Sequence, residues 1–229
     1  MYKNIRVIAF DADDTLWVNE TYFRDAENRF ASLLASYETN NKIHQELFKT
    51  EIENLKDYGY GIKGFVLSMI EVAIDLSDGN ITASKIEELL NIGKEMLHAP
   101  VELLPGVPEV LKELSQRFKL IVVTKGDLLD QERKLAKSGL LPFFHHVEVL
   151  SEKKEEDYLK LLDRLEISPL DFLMVGNSLK SDVLPLISIG SQAIHVPFHT
   201  TWAHEEVTDI SAKKYDTLTE LKDIIGLID

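Results

Sequence analysis

The chain has 229 residues, 45% of them apolar, enough to bury a sizeable core either as one large domain or as a core with a smaller insert. A formal net charge of −14 without a basic stripe argues against nucleic acid as a partner, and any phosphate site must create its own local positive field. The absence of cysteine excludes disulfides, thiolate metal sites and a cysteine nucleophile. No apolar run has the length of a membrane span or a secretory signal, so no membrane partner is expected and the cytoplasm is the expected location.

In chain order, the first predicted element is a buried strand over residues 5–10. Residues 18–100 lack strand-like runs and carry helical periodicity, for example Phe30, Leu33, Leu34 and Tyr37, then Ile86, Leu89, Leu90 and Gly93 after an N-cap at Thr82 or Ser84. A stretch of about eighty residues is too long for an ordinary loop and reads as a separate helical lid. Within it, residues 57–64 (Asp-Tyr-Gly-Tyr-Gly-Ile-Lys-Gly) are expected to form a mobile loop. Beyond it come strands over 120–124, 146–150, 172–175 and 193–196, alternating with amphipathic helices over 106–118, 128–138 and 155–165. Gly139 closes the second of these helices and Ser151 is the expected N-cap of the third. Continuous apolar runs indicate strands covered on both faces. The expected fold is therefore α/β, a doubly wound parallel sheet built from residues 1–17 and 101–229, with a helical domain over 18–100.

The first strand runs into Asp11-Ala-Asp-Asp-Thr15. Carboxylates at the C-terminal end of a parallel strand sit where α/β sheets bind ligands. Neighbouring carboxylates repel, so the cluster calls for a cation, a shared proton or water, and Mg²⁺ suits an all-oxygen site. The alternative is a solvated acidic loop in which Asp13 or Asp14 caps a helix.

Asp11-x-Asp13-x-Thr15-Leu16 after a hydrophobic strand resembles the first motif of the haloacid dehalogenase-like hydrolases. The resemblance implies a Rossmann-like core with a mobile helical cap, Asp11 as the nucleophile that becomes an aspartyl phosphate, and Asp13 as general acid/base. The dehalogenase branch lacks the second Asp, so Asp13 points to phosphate chemistry. Later motifs follow in the expected order. A strand ending in Thr124-Lys125-Gly126 would bind phosphate oxygens. Lys153 or Lys154 would hold the charge of nucleophile and phosphate, and the family's spacing of five residues before an aromatic selects Lys153. Gly176-Asn-Ser-Leu-Lys-Ser-Asp182 corresponds to the family's Gly-Asp-Ser motif with a later acid.

Asn177 stands where that pattern has Asp. Its carbonyl oxygen still suits Mg²⁺, but the site loses one negative charge, so the metal binds more weakly or Asp182 carries more of the binding. The implied metal residues are Asp11, Asp13 (through its main-chain carbonyl), Asn177 and Asp182. The implied reaction is Mg²⁺-dependent hydrolysis of a small phosphorylated metabolite. A phosphomutase, or a non-catalytic phosphate-binding or regulatory protein, are the competing readings. His195, His199 and His204 cross a strand end and a loop and do not have zinc-site spacing. Trp17 reads as packing and Lys63 as a solvated lysine.

Overall fold

A computed structural model describes residues 2, 4–207 and 215–228; positions 1, 3, 208–214 and 229, which fall in the segments expected to form the core, lie outside the described residues. The chain divides into two compact units. One comprises residues 1–20, 101–125 and 131–229, and the other residues 21–100 with 126–130. The division thus falls at 20/21, three residues after the expected 17/18, and the segment 126–130 groups with the helices.

The first unit is built on six strands: β1 (Val7–Phe10), β2 (Lys119–Lys125), β3 (His146–Leu150), β4 (Phe172–Gly176), β5 (Gln192–His195) and β6 (Asp216–Thr217). They lie in the order β3-β2-β1-β4-β5-β6, every neighbouring pair parallel. Because side chains alternate across a strand, each central strand feeds two cores. Ile8 and Phe10 of β1, Leu120 and Val122 of β2, and Leu173 and Val175 of β4 enter one apolar cluster. Val7, Ala9, Ile121, Val123, Phe172 and Met174 enter the other.

Helices cover both faces. α5 (Val107–Leu114) places Val107, Val110, Leu111 and Leu114 in the first cluster, and Leu135 of α6 (Leu128–Ser138) joins them. α7 (Glu155–Arg164) gives Tyr158, Leu161 and Leu162 to the second, where Leu186 of α8 (Leu184–Ser188) also lies. α5 is shorter than the 106–118 expected, since the chain turns after Leu114 instead of continuing the helix. α7 begins at Glu155, so Ser151 is not its cap. The Asp157 carboxylate instead accepts the Lys154 N–H at 3.1 Å, closing the helix start from within its own first turn.

The connection from β1 leads to β2 on one side of the sheet, and β4 returns to pair with β1 on the other. The direction of winding therefore reverses between β1 and β4. The crevice outside their C-terminal ends is where such sheets bind ligands. Asp11 follows β1 there, and its N–H donates to Val175 O at 2.9 Å.

The second unit holds α1 (Glu20–Leu34) from Thr21 on, α2 (Asn40–Tyr58), α3 (Ile62–Leu76) and α4 (Ala83–His98). Ala26, Phe30, Ala31 and Leu34 recur at helical spacing and pack with Ile43, Leu47, Met69, Val72, Leu89 and Ile92. Thr82 accepts the Lys85 N–H and caps α4 as expected. The anticipated loop over 57–64 is only a tight turn. Asp57 and Tyr58 end α2, Ile62 begins α3, and the reversal is carried by Gly59 (φ 68°) and Gly61 (φ 110°), conformations that side chains resist. Among the described residues, no helix is long and apolar enough to cross a membrane.

α3 and α4 approach closely at Gly93, where an added Cβ would meet Val66 Cγ2 at 2.3 Å. Gly93→Ala would gain about 1 kcal/mol of helix propensity, but overpacking against a stiff β-branched neighbour costs about 1–3 kcal/mol. The single variant is expected to unfold at lower urea concentration than wild type. The Val66→Ala/Gly93→Ala double variant should be more stable than Val66→Ala alone, a sign reversal that urea titration would reveal.

Candidate active site

The site gathers at the C-terminal ends of β1, β2 and β4, all within the first unit. At its centre lies Lys153, 3% exposed, whose Nζ donates to Asp11 Oδ1 at 2.5 Å and to Asp182 Oδ1 at 2.7 Å. Its neighbour Lys154 is exposed and starts α7. The structure thus brings Lys153, and not Lys154, to Asp11. Burial raises the Asp11 carboxyl above its usual range, with Lys153 pulling it back down. Burial also opposes the charge on Lys153, but the two carboxylates outweigh it and keep the ammonium protonated.

Asp182 spends both oxygens on this arrangement, the second accepting the Ser178 N–H at 3.0 Å. A Cβ at residue 176 would stand 2.3 Å from Asp182 Oδ2, so the carboxylate fits only against a glycine. The chain between them, Leu179–Val183, forms a single π-type turn. Such turns re-aim side chains out of the ordinary helical register.

Asp13 points elsewhere. Its Oδ1 accepts from Trp17 Nε1 at 2.7 Å and Lys134 Nζ at 2.9 Å, and its Oδ2 from Gln131 Nε2 at 2.9 Å. Trp17 is therefore more than packing: its buried ring also fixes this carboxylate. Asp14, at φ 59°, accepts the N–H groups of Asn19 and Glu20 and caps the start of α1. The helix-cap alternative thus describes Asp14, while Asp11 and Asp13 keep their carboxylates for other partners.

Thr124, the residue before the last of β2, is buried, its hydroxyl accepting from Gln131 Nε2 at 2.8 Å and donating to Lys125 O at 3.2 Å. Lys125 turns to Glu205 Oε1 at 2.6 Å and Ser181 Oγ at 3.0 Å. Gly126, at φ 131°, belongs to the other unit, as does Lys63, which pairs with Asp127 at 2.9 Å. Of the histidines, His195 meets Asn177 O at 3.0 Å and the His204 O accepts from Lys180 Nζ at 2.6 Å. Among the described residues no group of three or more His, Asp or Glu side chains is arranged to hold a metal ion.

A smaller oxygen set does fit Mg²⁺. The near end of the Asn177 amide lies 3.2 Å from Asp11 Oδ2, 3.2 Å from the main-chain O of Asp13 and 3.2 Å from Thr15 Oγ1. If the near atom is Oδ1, it accepts from the Thr15 hydroxyl but faces Asp11 Oδ2 and the Asp13 carbonyl, a repulsion that a cation between them would relieve. If it is the NH₂, it donates to them directly. Oxygens about 3 Å apart form the edge of an octahedron with the short bonds Mg²⁺ requires.

Gln131, Lys134 and Glu205 were not singled out in the sequence, and Ser178 and Ser181 appeared there only within the motif over 176–182. The first two share a face of α6 at i, i+3 spacing, a signal available once α6 is placed after β2. Glu205 lies in an irregular segment and carries no such signal.

A model of haloacid dehalogenase-like hydrolases matches residues 5–190. The chain belongs to that family. A haloacid dehalogenase-like family hydrolase from Xanthomonas campestris superposes with a TM-score of 0.81 at 41% identity, over 85% of this chain and 82% of the other. The HAD-hydrolase YfnB of Bacillus subtilis, solved bound to magnesium, superposes with a TM-score of 0.66 at 19% identity, over 98% of this chain and 99% of that one. Curated relatives include a glyceraldehyde 3-phosphate phosphatase of Methanopyrus kandleri, 25% identical over 78% of each chain. An N-acylneuraminate-9-phosphatase of Rattus norvegicus is 26% identical over 83% of this chain and 82% of its own. The helical insert after β1 stands where the family carries its cap.

Glu205 allows a pH test. Burial opposes its charge, but Lys125 and the Ser178 and Ser181 hydroxyls prevail and hold the carboxyl at about 2, below its ordinary 4.5. A depressed folded-state pKa stabilises the fold above the unfolded value and loses that contribution as pH falls through the folded one. Wild type should therefore exceed Glu205→Gln in unfolding free energy by up to about 3 kcal/mol near neutral pH. The gap should close between pH 4.5 and 2, as urea titrations of both proteins would show.

Proposed function

We propose that this chain is a Mg²⁺-dependent phosphatase that hydrolyses a small phosphomonoester through an aspartyl phosphate on Asp11. The observation that carries this reading is the buried Lys153 ammonium 2.5 Å from the carboxylate that ends the central strand. A nucleophilic carboxylate must be ionised to attack an incoming phosphate in a dry site, and a fixed cation counters the burial that disfavours its charge.

In this reading Asp11 attacks phosphorus and the leaving alkoxide takes a proton from Asp13. Water then attacks the aspartyl phosphate as Asp13 accepts its proton, and Asp11 is regenerated. Trp17, Gln131 and Lys134 aim Asp13 throughout. Lys153 and the Thr124 hydroxyl stabilise charge on the transferring phosphoryl oxygens. Asp11 Oδ2, the Asp13 carbonyl and Asn177 Oδ1 would hold the Mg²⁺, with Asp182 adding its charge from behind Lys153. The cation would supply neutralisation of nucleophile and phosphate charge.

The phosphatase relatives act on small phosphorylated metabolites, which supports that substrate class. We assign substrate selection to the helical unit, and the cytoplasm as the location.

With p-nitrophenyl phosphate, and with a panel of sugar phosphates for a selective site, turnover should need Mg²⁺ and stop with EDTA. Asp11→Asn should lower it by about a thousandfold or more without loss of fold. Metal-independent turnover, or an active Asp11→Asn protein, would refute the mechanism. Phosphate binding without turnover on the whole panel would favour the non-catalytic reading, and phosphate transfer between sugar positions the mutase.

Asn177 gives a second check. Asn177→Asp adds a carboxylate to the oxygen set and should tighten Mg²⁺ binding about tenfold by calorimetry, about 1.4 kcal/mol. Unchanged affinity would remove Asn177 from the proposed ligand set.

A further inference from the structure

Glu205 ends a short 3₁₀ turn, Ala203–Glu205, beyond the residues 5–190 that the family model matches. Nothing in the family's motif pattern calls for an acid at this point, yet its side chain is only 12% exposed and fully engaged. Oε1 accepts from Lys125 Nζ at 2.6 Å, while Oε2 accepts from Ser181 Oγ at 2.6 Å and from Ser178 Oγ. Lys125 also donates to Ser181 Oγ at 3.0 Å. Each partner adjoins a residue of the proposed mechanism: Lys125 follows Thr124, Ser178 follows Asn177, and Ser181 precedes Asp182.

We propose that Glu205 is a positioning residue of the active site, tying the end of β2 to the turn that carries Asp182. The inference rests on the phosphatase reading. The connection to the chemistry is short and continuous. Ser178 Oγ donates to Glu205 and accepts the Ser181 N–H at 3.0 Å; the Ser178 N–H holds Asp182 Oδ2; Asp182 Oδ1 holds Lys153; and Lys153 holds Asp11. Slackening the Ser178–Asp182 turn shifts the ammonium that stabilises the transferring phosphoryl group, and ångström-scale misplacement costs such a site up to about a hundredfold. Glu205 also absorbs the charge of Lys125. That lysine was expected to bind phosphate, and here it serves as a strut.

The test uses the full-length protein with Mg²⁺ and whichever phosphomonoester wild type hydrolyses, comparing Glu205→Gln, Glu205→Ala, Lys125→Met and the Lys125→Met/Glu205→Gln double variant. Glu205→Gln keeps the shape and one acceptor oxygen while removing the charge, so it remains informative if Glu205→Ala fails to fold. The expected result is kcat lowered about tenfold in Glu205→Gln with KM within about twofold. A similar fall is expected in Lys125→Met, and no further fall in the double variant. Glu205→Asp should recover part of the loss. A kcat within twofold of wild type in folded Glu205→Gln overturns the proposal, as do independent, multiplying effects of the two residues. An inactive wild type would instead count against the phosphatase reading itself.

Discussion

Lys153 is held between Asp11 and Asp182, with the ammonium and the Asp182 carboxylate almost wholly withdrawn from water. An isolated charge in that position would be untenable, and removing one member of such a group costs about 3–5 kcal/mol because the others remain buried without compensation. The arrangement is therefore an expensive one that the surrounding structure must enforce. β1 delivers Asp11 at its C-terminal end, the segment after β3 delivers Lys153, and the turn after β4 delivers Asp182. Three separate strands must be in register before the charges meet. Conversely, their meeting favours that register: with apolar residues on both faces of β1 and β4 the pattern alone is tolerant of a slip, whereas a one-residue shift would carry a charged residue to the opposite side, away from its partners.

That requirement explains details that otherwise look incidental. Gly176 is needed because the Asp182 carboxylate occupies the space of a Cβ. The π-type turn Leu179–Val183 carries Asp182 back against Gly176, and the Ser178 N–H, which as the N-cap has no partner within the turn, binds Oδ2. Tyr158 of α7 donates to Ser181 O at 2.9 Å, fastening the turn to the helix that starts two residues after Lys153. Packing in the second apolar cluster, to which Tyr158 and Val183 belong, is thus coupled to the electrostatics of the site.

Much of this was legible in the sequence for identifiable reasons. The central strands β1, β2 and β4 announce themselves because both faces are buried, which leaves continuous apolar runs such as 120–123, whereas β3, half-buried along its length, shows only Val147, Val149 and Leu150. β6 is two polar residues, Asp216 and Thr217, with no such signal. Asp11, Asp13 and Lys153 could be proposed because their positions relative to strand ends are local. The cap of α7 was misplaced because Ser151 resembles an N-cap, whereas the helix is closed by Asp157 instead. Lys125 groups with the phosphate site because it follows Thr124 at the strand end, where a hydroxyl and main-chain N–H groups can bind phosphate; the direction of its side chain is not part of that pattern. That side chain faces Glu205, 80 residues away, and proximity of that kind has no local pattern to reveal it. The partners of Asp13 on α6 are intermediate, since their shared face is readable but their target is not.

The Asn177 substitution is where local chemistry and global charge meet. A chain with a formal charge of −14 that gathers Asp11, Asp13 and Asp182 at one sheet end already opposes further negative charge there. An amide at 177 relieves that repulsion and offers a choice that a carboxylate lacks. Through its NH₂ it satisfies Asp11 Oδ2 and the Asp13 carbonyl by itself, and in the proposed reading its oxygen would join them around a cation. The two orientations differ by a half-turn of one side chain and leave the backbone unchanged. A carboxylate at the same place would face those acceptors with no donor to offer, so the metal-free site would be under electrostatic strain. In the proposed reading the amide would therefore keep the metal-free site ordered and would hold the cation less tightly than a carboxylate. Asp182, with both oxygens committed to Lys153 and Ser178, has little freedom to make up the missing charge.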